Sequence, residues 1–209
     1  MKKIIATLSI LFMFTTTCLA QEYEEGVNYF PLKTPQPTQT EGKIEVLELF
    51  WYRCPHCFEL EPYLQKWKKN KPDFVELVRF PAVLNKSWEF DARVFYTFTV
   101  LGLLDKLHDT YFTAIHSERK RINSLEKLMD WVETQGLNPK PIGDAFNSFG
   151  VNSMVSRAID LSSQYDADGV PTIVVDGKYR TKVSLAGGHN ELIDLINYLA
   201  LRAQSERQN

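Results

Sequence analysis

Apolar positions along this chain follow one period, then another, then the first again. From Ile44 to Trp51 the residues Val46, Leu47, Leu49 and Phe50 form a nearly unbroken apolar run. That pattern predicts a strand buried on both faces. Glu41-Gly42 precedes it as a turn. Phe58, Leu60, Tyr63, Leu64 and Trp67 then recur at helical spacing, predicting a helix over Pro55 to Lys69. Lys66, Lys68 and Lys69 complement the dipole at its end, and Pro62 should kink it. Phe74 to Val83 reads as a second strand, interrupted by Pro81.

From about Asn85 the period turns helical. Trp88–Leu104, Asp105–Ser117, Ser124–Gln135, Pro141–Phe149 and Asn152–Gln164 are the predicted helices, with Ser124 as an N-cap. Their bulky residues, such as Phe95, Phe98, Tyr111, Phe112 and Trp131, predict a small helical bundle core. Nothing in this block looks like a cofactor box. After Gly169-Val170-Pro171 the strand period returns. Thr172–Val175, the turn Asp176-Gly177, and Lys178–Val183 predict a β-hairpin. Asn190 to Ala203 closes the chain as an amphipathic helix. Before all this, Gln21 to Thr40 is polar and proline-dotted, with room for an edge strand over Val27 to Leu32.

The predicted fold is therefore α/β, a β-α-β half and a β-β-α half with helices inserted between them. Cys54 and Cys57 stand with two residues between them where the first helix opens, a spacing that marks this pattern as thioredoxin-like, so residues 21–84 and 166–209 would form a thioredoxin-like domain and 85–165 an inserted helical domain. Residues 1–20 stand apart. Lys2 and Lys3 precede an apolar core, Ile4 to Phe14, and small residues occupy Cys18 and Ala20. This is a secretory signal peptide with cleavage expected after Ala20. Its apolar core is shorter than the roughly 20 residues a membrane span needs. A lipid-anchored Cys18 is the alternative, weakened by the threonines before it. With a formal net charge of −2, the chain makes no case for nucleic acid or a basic membrane-binding face. The mature protein is expected to be soluble and monomeric.

The signal peptide holds one of the three cysteines. The others form Cys54-Pro55-His56-Cys57 at the junction of the first long strand and its helix. A bridge closing so short a loop is a poor staple for the unfolded chain, so a redox couple is the better reading. Pro55 suits a first helical turn. Cys54 would then sit at the positive end of the helix dipole, which favours a thiolate. His56 could donate to that thiolate or carry positive charge beside it; the bland alternative is an exposed side chain without consequence. Glu48 in the buried strand is either a carboxylate that reaches water or a buried ionisable group near the sulfurs. His108, His116 and His189 read as ordinary surface or core residues. A zinc module would want a second cysteine pair or a histidine pair at metal spacing, and neither occurs. No metal or other cofactor is expected.

These residues resemble the DsbA family of bacterial periplasmic thiol:disulfide oxidoreductases. The resemblance rests on the Pro-His dipeptide between the cysteines, on Val46-Leu47-Glu48-Leu49-Phe50 before them, on Gly169-Val170-Pro171, and on Tyr23-Glu24-Glu25-Gly26 with Tyr29 at the mature start. It implies catalysis by Cys54 and Cys57 with His56, and a cis Pro171 facing the disulfide. Pro55, Val170 and Pro171 would contact substrate, with Val170 held extended to pair with a substrate strand. Glu48 would be the family's buried acid. The best-known members carry a lysine on the next strand, whereas Arg79 is the nearest candidate here; an arginine cannot release its proton. The expected activity introduces disulfides into unfolded exported proteins with free thiols. An inner-membrane quinone-linked protein would reoxidise the pair. The alternative is a disulfide isomerase or reductase of the thioredoxin superfamily. Isomerases usually carry an N-terminal dimerisation domain, for which Gln21 to Thr40 leaves no room.

Overall fold

The computed structural model describes residues 23–208. The expected signal peptide, with Cys18 and the cleavage point after Ala20, lies outside the described residues. The strands are β1 (Phe30–Pro31), β2 (Ile44–Phe50), β3 (Val75–Pro81), β4 (Thr172–Val175) and β5 (Tyr179–Thr181). The α-helices are α1 (Pro55–Asn70), α2 (Glu89–Val100), α3 (Leu104–His116), α4 (Leu125–Thr134), α5 (Pro139–Phe146), α6 (Phe149–Ser162), α7 (Val183–Ala186) and α8 (His189–Gln208). No helix among the described residues is long and apolar enough to cross a membrane.

The strands form one sheet in the order β1-β5-β4-β2-β3. β2 and β3 run parallel, joined by α1, and their register sets Glu48 opposite Arg79. β4 pairs antiparallel with β2 and with β5, and β1 caps the edge beside β5. Every residue of β2 is buried. On one face Val46 packs with Leu60 and Leu64 of α1 and Leu192 and Leu199 of α8. On the other, Leu47 and Leu49 pack with Ala92 and Ala158. Each such side chain stabilises by about 1.5–3 kcal/mol on burial. That sum offsets the cost of burying two acids, Glu45 and Glu48, in the same strand. A third core joins Phe95, Phe98, Tyr111 and Trp131 of the helical block to Phe50 and Tyr52. Cys54 and Cys57 belong to this core, so the thiols lie where the end of the sheet meets the helices.

Several expected boundaries move, each for a local reason. The edge strand expected over Val27–Leu32 shrinks to Phe30–Pro31, because residues 24–29 are spent on a turn closed by the Gly26 N–H to the Tyr29 carbonyl, 2.8 Å. The hairpin's second strand stops at Thr181, not Val183: Lys182 bends the chain into α7, which Gly187 ends at φ 99°. α2 stops at Val100 and α3 starts at Leu104 because Gly102 turns between them at φ 66°. α6 starts at Phe149, where Ser148 Oγ accepts the Val151 N–H. α1 runs unbroken through Pro62. The expected Asp176-Gly177 turn is present, with φ 55° and 62°. A Cβ on Gly177 would stand 1.9 Å from the Gln36 carbonyl oxygen, so that position admits only glycine.

Candidate active site

Cys54 is the N-cap of α1 and Pro55 its first residue. The Cys54 N–H bonds the Trp51 carbonyl at 2.9 Å, turning the chain out of β2. Both cysteines are free thiols, so the structure shows the dithiol form. They differ sharply in surroundings. Cys54 keeps 7% of its surface exposed, while Cys57 is fully buried. The hydrogen bond from Cys57 is the largest influence on Cys54. Burial opposes it, and the backbone N–H groups of Cys57 and His56 and the His56 charge support it, bringing the Cys54 thiol down to about 6. Burial, followed by the bond to Cys54, pushes the Cys57 thiol well above its ordinary range. The pair thus holds one accessible thiolate and one inaccessible thiol at neutral pH.

Across from the sulfurs the Val170-Pro171 peptide bond is cis. Cys54 Sγ lies 3.3 Å from the Val170 carbonyl oxygen, to which it donates when protonated. Thr172 Oγ1 holds the loop by donating to the Gly169 carbonyl, 2.8 Å. Beside the loop lies a groove of about 320 Å³, lined by His56, Val170, Pro171, Val183 and His189 among others. Val170 and Pro171, two of the three residues expected to meet substrate, thus line one groove with His56, and Pro55 does not line it. His56 does not point its ring at Cys54. Its Nδ1 lies 3.1 Å from Glu59 Oε2, and this contact, then the Glu59 charge, then the Cys54 charge, raise the imidazole above its usual range. The His56 backbone N–H and, when the imidazole is protonated, its charge both favour the Cys54 thiolate.

Beneath Cys57 lies a buried charge cluster. Glu48 is fully buried and neither of its oxygens has a hydrogen-bond partner. Arg79 Nε stands 3.5 Å from Glu48 Oε2, while Arg79 Nη2 bonds Glu61 Oε1 closely. Two carboxylates thus share one guanidinium, and Glu61 has the better of it. Burial, then the Glu61 charge, push Glu48 up to about 8 against the pull of Arg79. Burial works against Glu61 as an anion too, but His108 and Arg79 overcome it and bring it down to about 2.

Sequence reasoning missed Glu61 and treated His108 as ordinary. His108 is buried, with Nδ1 2.9 Å from Tyr52 Oη and Nε2 3.6 Å from Glu61 Oε2. The signal for Glu61 was its spacing, four residues after Cys57 on the face that carries Leu60 and Leu64. His116 is not ordinary either: its Nε2 lies 2.8 Å from the Tyr52 carbonyl and its ring stacks on Phe58. His189 stacks on Tyr63 and lines the groove. Glu61, His108 and Asp109 offer metal-type donor atoms within 4.8 Å of one another. Arg79 already supplies the counter-charge of Glu61, so the cluster reads as an ion-pair network. A second unforeseen anchor is buried Asp91, whose Oδ2 accepts from Trp51 Nε1 (2.8 Å) and Arg53 Nε (2.9 Å). It ties the loop before Cys54 to α2, and Trp51 also stacks on Trp88, the residue just before that helix.

Comparison with known proteins places this geometry. The DSBA-like thioredoxin domain family matches residues 45–192. The thiol:disulfide interchange protein DsbA of Pseudomonas aeruginosa is 36% identical over 194 residues, covering 93% of this chain and 92% of the relative. DsbA of Bordetella parapertussis is 38% identical over 182 residues, covering 87% and 85%. The crystal structure of P. aeruginosa DsbA superposes with a TM-score of 0.85 at 35% identity, over 90% of this chain and 97% of that one. The oxidoreductase NmDsbA1 of Neisseria meningitidis gives 0.78 at 29%, over 89% and 96%. The chain is a member of the DSBA-like thioredoxin domain family.

Proposed function

We propose that the protein is a dithiol oxidase that donates the Cys54–Cys57 disulfide to unfolded exported proteins. The observation that carries this reading is the asymmetry of the two thiols, one held near 6 at a helix N-terminus and one buried above its usual range. A low thiol pKa makes Cys54 a good leaving group and stabilises the reduced enzyme, hence a strong oxidant. In the first step a substrate thiolate attacks Cys54 Sγ. The bond to Cys57 breaks, and Cys57 leaves as a thiolate. It takes a proton from Glu48, whose carboxyl is pushed up to about 8 by burial, then by the Glu61 charge, against the pull of Arg79. In the second step another substrate thiol, losing its proton to solvent, attacks the substrate sulfur of the mixed disulfide. Cys54 departs as the stable thiolate. The substrate leaves with a disulfide and the enzyme holds a dithiol.

Val170 and Pro171 bound the groove in which an extended substrate backbone would lie. His56 would place positive charge beside Cys54 when protonated, and Arg79 would tune the cluster without releasing a proton. The helical block 85–165, read as an inserted domain, supplies His108, His116 and Asp91 to this site. The chain would act as a soluble periplasmic monomer after cleavage at Ala20. A quinone-linked membrane protein would reoxidise it through the same groove. The test is to offer reduced and scrambled ribonuclease separately. Rapid oxidation of the reduced form with little rescue of the scrambled form supports an oxidase. The opposite preference supports an isomerase.

A further inference from the structure

We propose that His108 is a positioning residue that fixes which of two buried carboxylates takes the Arg79 guanidinium lying between them, and thereby leaves Glu48 as the proton carrier for Cys57. This deepens the oxidase reading above and rests on its assignment of Glu48.

The geometry poses a competition. Arg79 lies between Glu48 on β2 and Glu61 on α1, and one guanidinium cannot serve two anions equally. Glu48 has no hydrogen bond with which to compete. Glu61 has several contacts. Gln65 Nε2 donates to its Oε1 at 2.9 Å, and Arg79 Nη2 donates to the same atom. Its Oε2 faces only His108 Nε2, at 3.6 Å, and neither atom has another partner. Two orphaned buried polar atoms facing each other are costly unless one carries a proton toward the other. The ring is fixed for that purpose. Tyr52 Oη meets Nδ1, and Phe50 and Phe112 stand edge-on with ring centres 5.2 Å away. If Tyr52 donates to Nδ1, the imidazole is the Nε2–H tautomer and turns that N–H toward Glu61 Oε2, 3.6 Å away.

Without that N–H, Glu61 Oε2 would be a buried anionic oxygen with no polar hydrogen turned toward it. Glu61 would then take up a proton or swing toward the polar pocket lined by Gln65, Lys68, Asp105 and Asp109. Either outcome hands Arg79 to Glu48. The other charged or titratable groups near this network are Asp109 on α3, Tyr52 before α1, and Cys54 and Cys57 themselves. None of them hydrogen-bonds Glu61 Oε2.

The experiment titrates the reduced protein with carbon-13-labelled glutamate side chains, using Glu48→Gln to assign the Glu48 carboxyl. The wild type should show Glu48 titrating near 8. His108→Phe keeps the ring volume without the N–H and should lower that midpoint by about one unit or more. Glu61→Gln should lower it likewise, and His108→Phe added to Glu61→Gln should change it no further. His108→Gln, which retains a donor, should keep the wild-type midpoint. A wild-type midpoint in His108→Phe overturns the proposal and leaves the Glu48 assignment standing. If no glutamate titrates above neutrality in the wild type, both fall. Should His108→Phe fail to fold, long-range proton–nitrogen spectra of the unaltered protein decide: the Nε2–H tautomer supports the proposal and the Nδ1–H tautomer refutes it.

Discussion

Replacing Cys57 by alanine separates the partners that hold the Cys54 thiolate. The structure ranks the Cys57 hydrogen bond first, ahead of the helix N–H groups and the His56 charge. A hydrogen bond to a charged group is worth about 1.5–3 kcal/mol, and a thiol is a weak donor, so the lower end applies. At about 1.4 kcal/mol per pKa unit, Cys54 should rise by about one unit, from near 6 toward 7. The thiolate fraction at pH 6 then falls from about one half to about a tenth. Ultraviolet absorbance of the thiolate against pH is the assay. Alkylation rates would understate the change, because a more basic thiolate is also the better nucleophile. Cys57→Ser keeps a donor at the same place and should titrate close to the wild type. If Cys57→Ala titrates with the wild type, the backbone N–H groups alone hold the thiolate and the ranking is wrong.

Three further outcomes follow from the same geometry. His56→Ala should raise the Cys54 pKa yet leave it below that of an ordinary thiol, since the Cys57 bond and backbone donors remain; a full return to about 9 in the same titration would show that the side chain carries the effect. The stability of the reduced form relative to the disulfide form should grow with pH. Cys54 has a depressed pKa in the folded dithiol, so its contribution is complete above about 9 and lost as pH falls through about 6. Glu48 is present in both forms and largely cancels. The slope in paired urea titrations should reach at most about 1.4 kcal/mol per pH unit, less where solvent screens the thiolate, and a flat difference would refute the assignment. Asp91→Ala strands Arg53 Nε and Trp51 Nε1 and should cost about 2–3 kcal/mol in urea unfolding, with a loss under about 1 kcal/mol contradicting its anchoring role.

The sequence carried the reactive pair because its chemistry is local. Cys54-Pro55-His56-Cys57 lies at one strand–helix junction, and its N-cap and N1 positions follow from Pro55. Glu48 stood out because a charge interrupts an apolar run, and the structure selects the buried alternative. The Asp-Gly turn was legible for the same reason. The partner of Glu48 depends instead on which helix covers which face. Glu61 lies on α1 and His108 on α3, 47 positions apart, and no periodicity couples them. The ring direction of His56 is set by Glu59, an exposed neighbour three residues on, which the motif alone did not weigh. Helix ends moved where a glycine or a capping serine, rather than the apolar period, stops the element.

The most direct measurement is the equilibrium of the Cys54–Cys57 pair with glutathione. A thiolate held near 6 beside a buried thiol favours the dithiol form. The pair should therefore be mostly reduced in a glutathione buffer poised at roughly −200 mV. A pair that remains mostly disulfide in that buffer would be a poor oxidant, and the proposed function would be wrong.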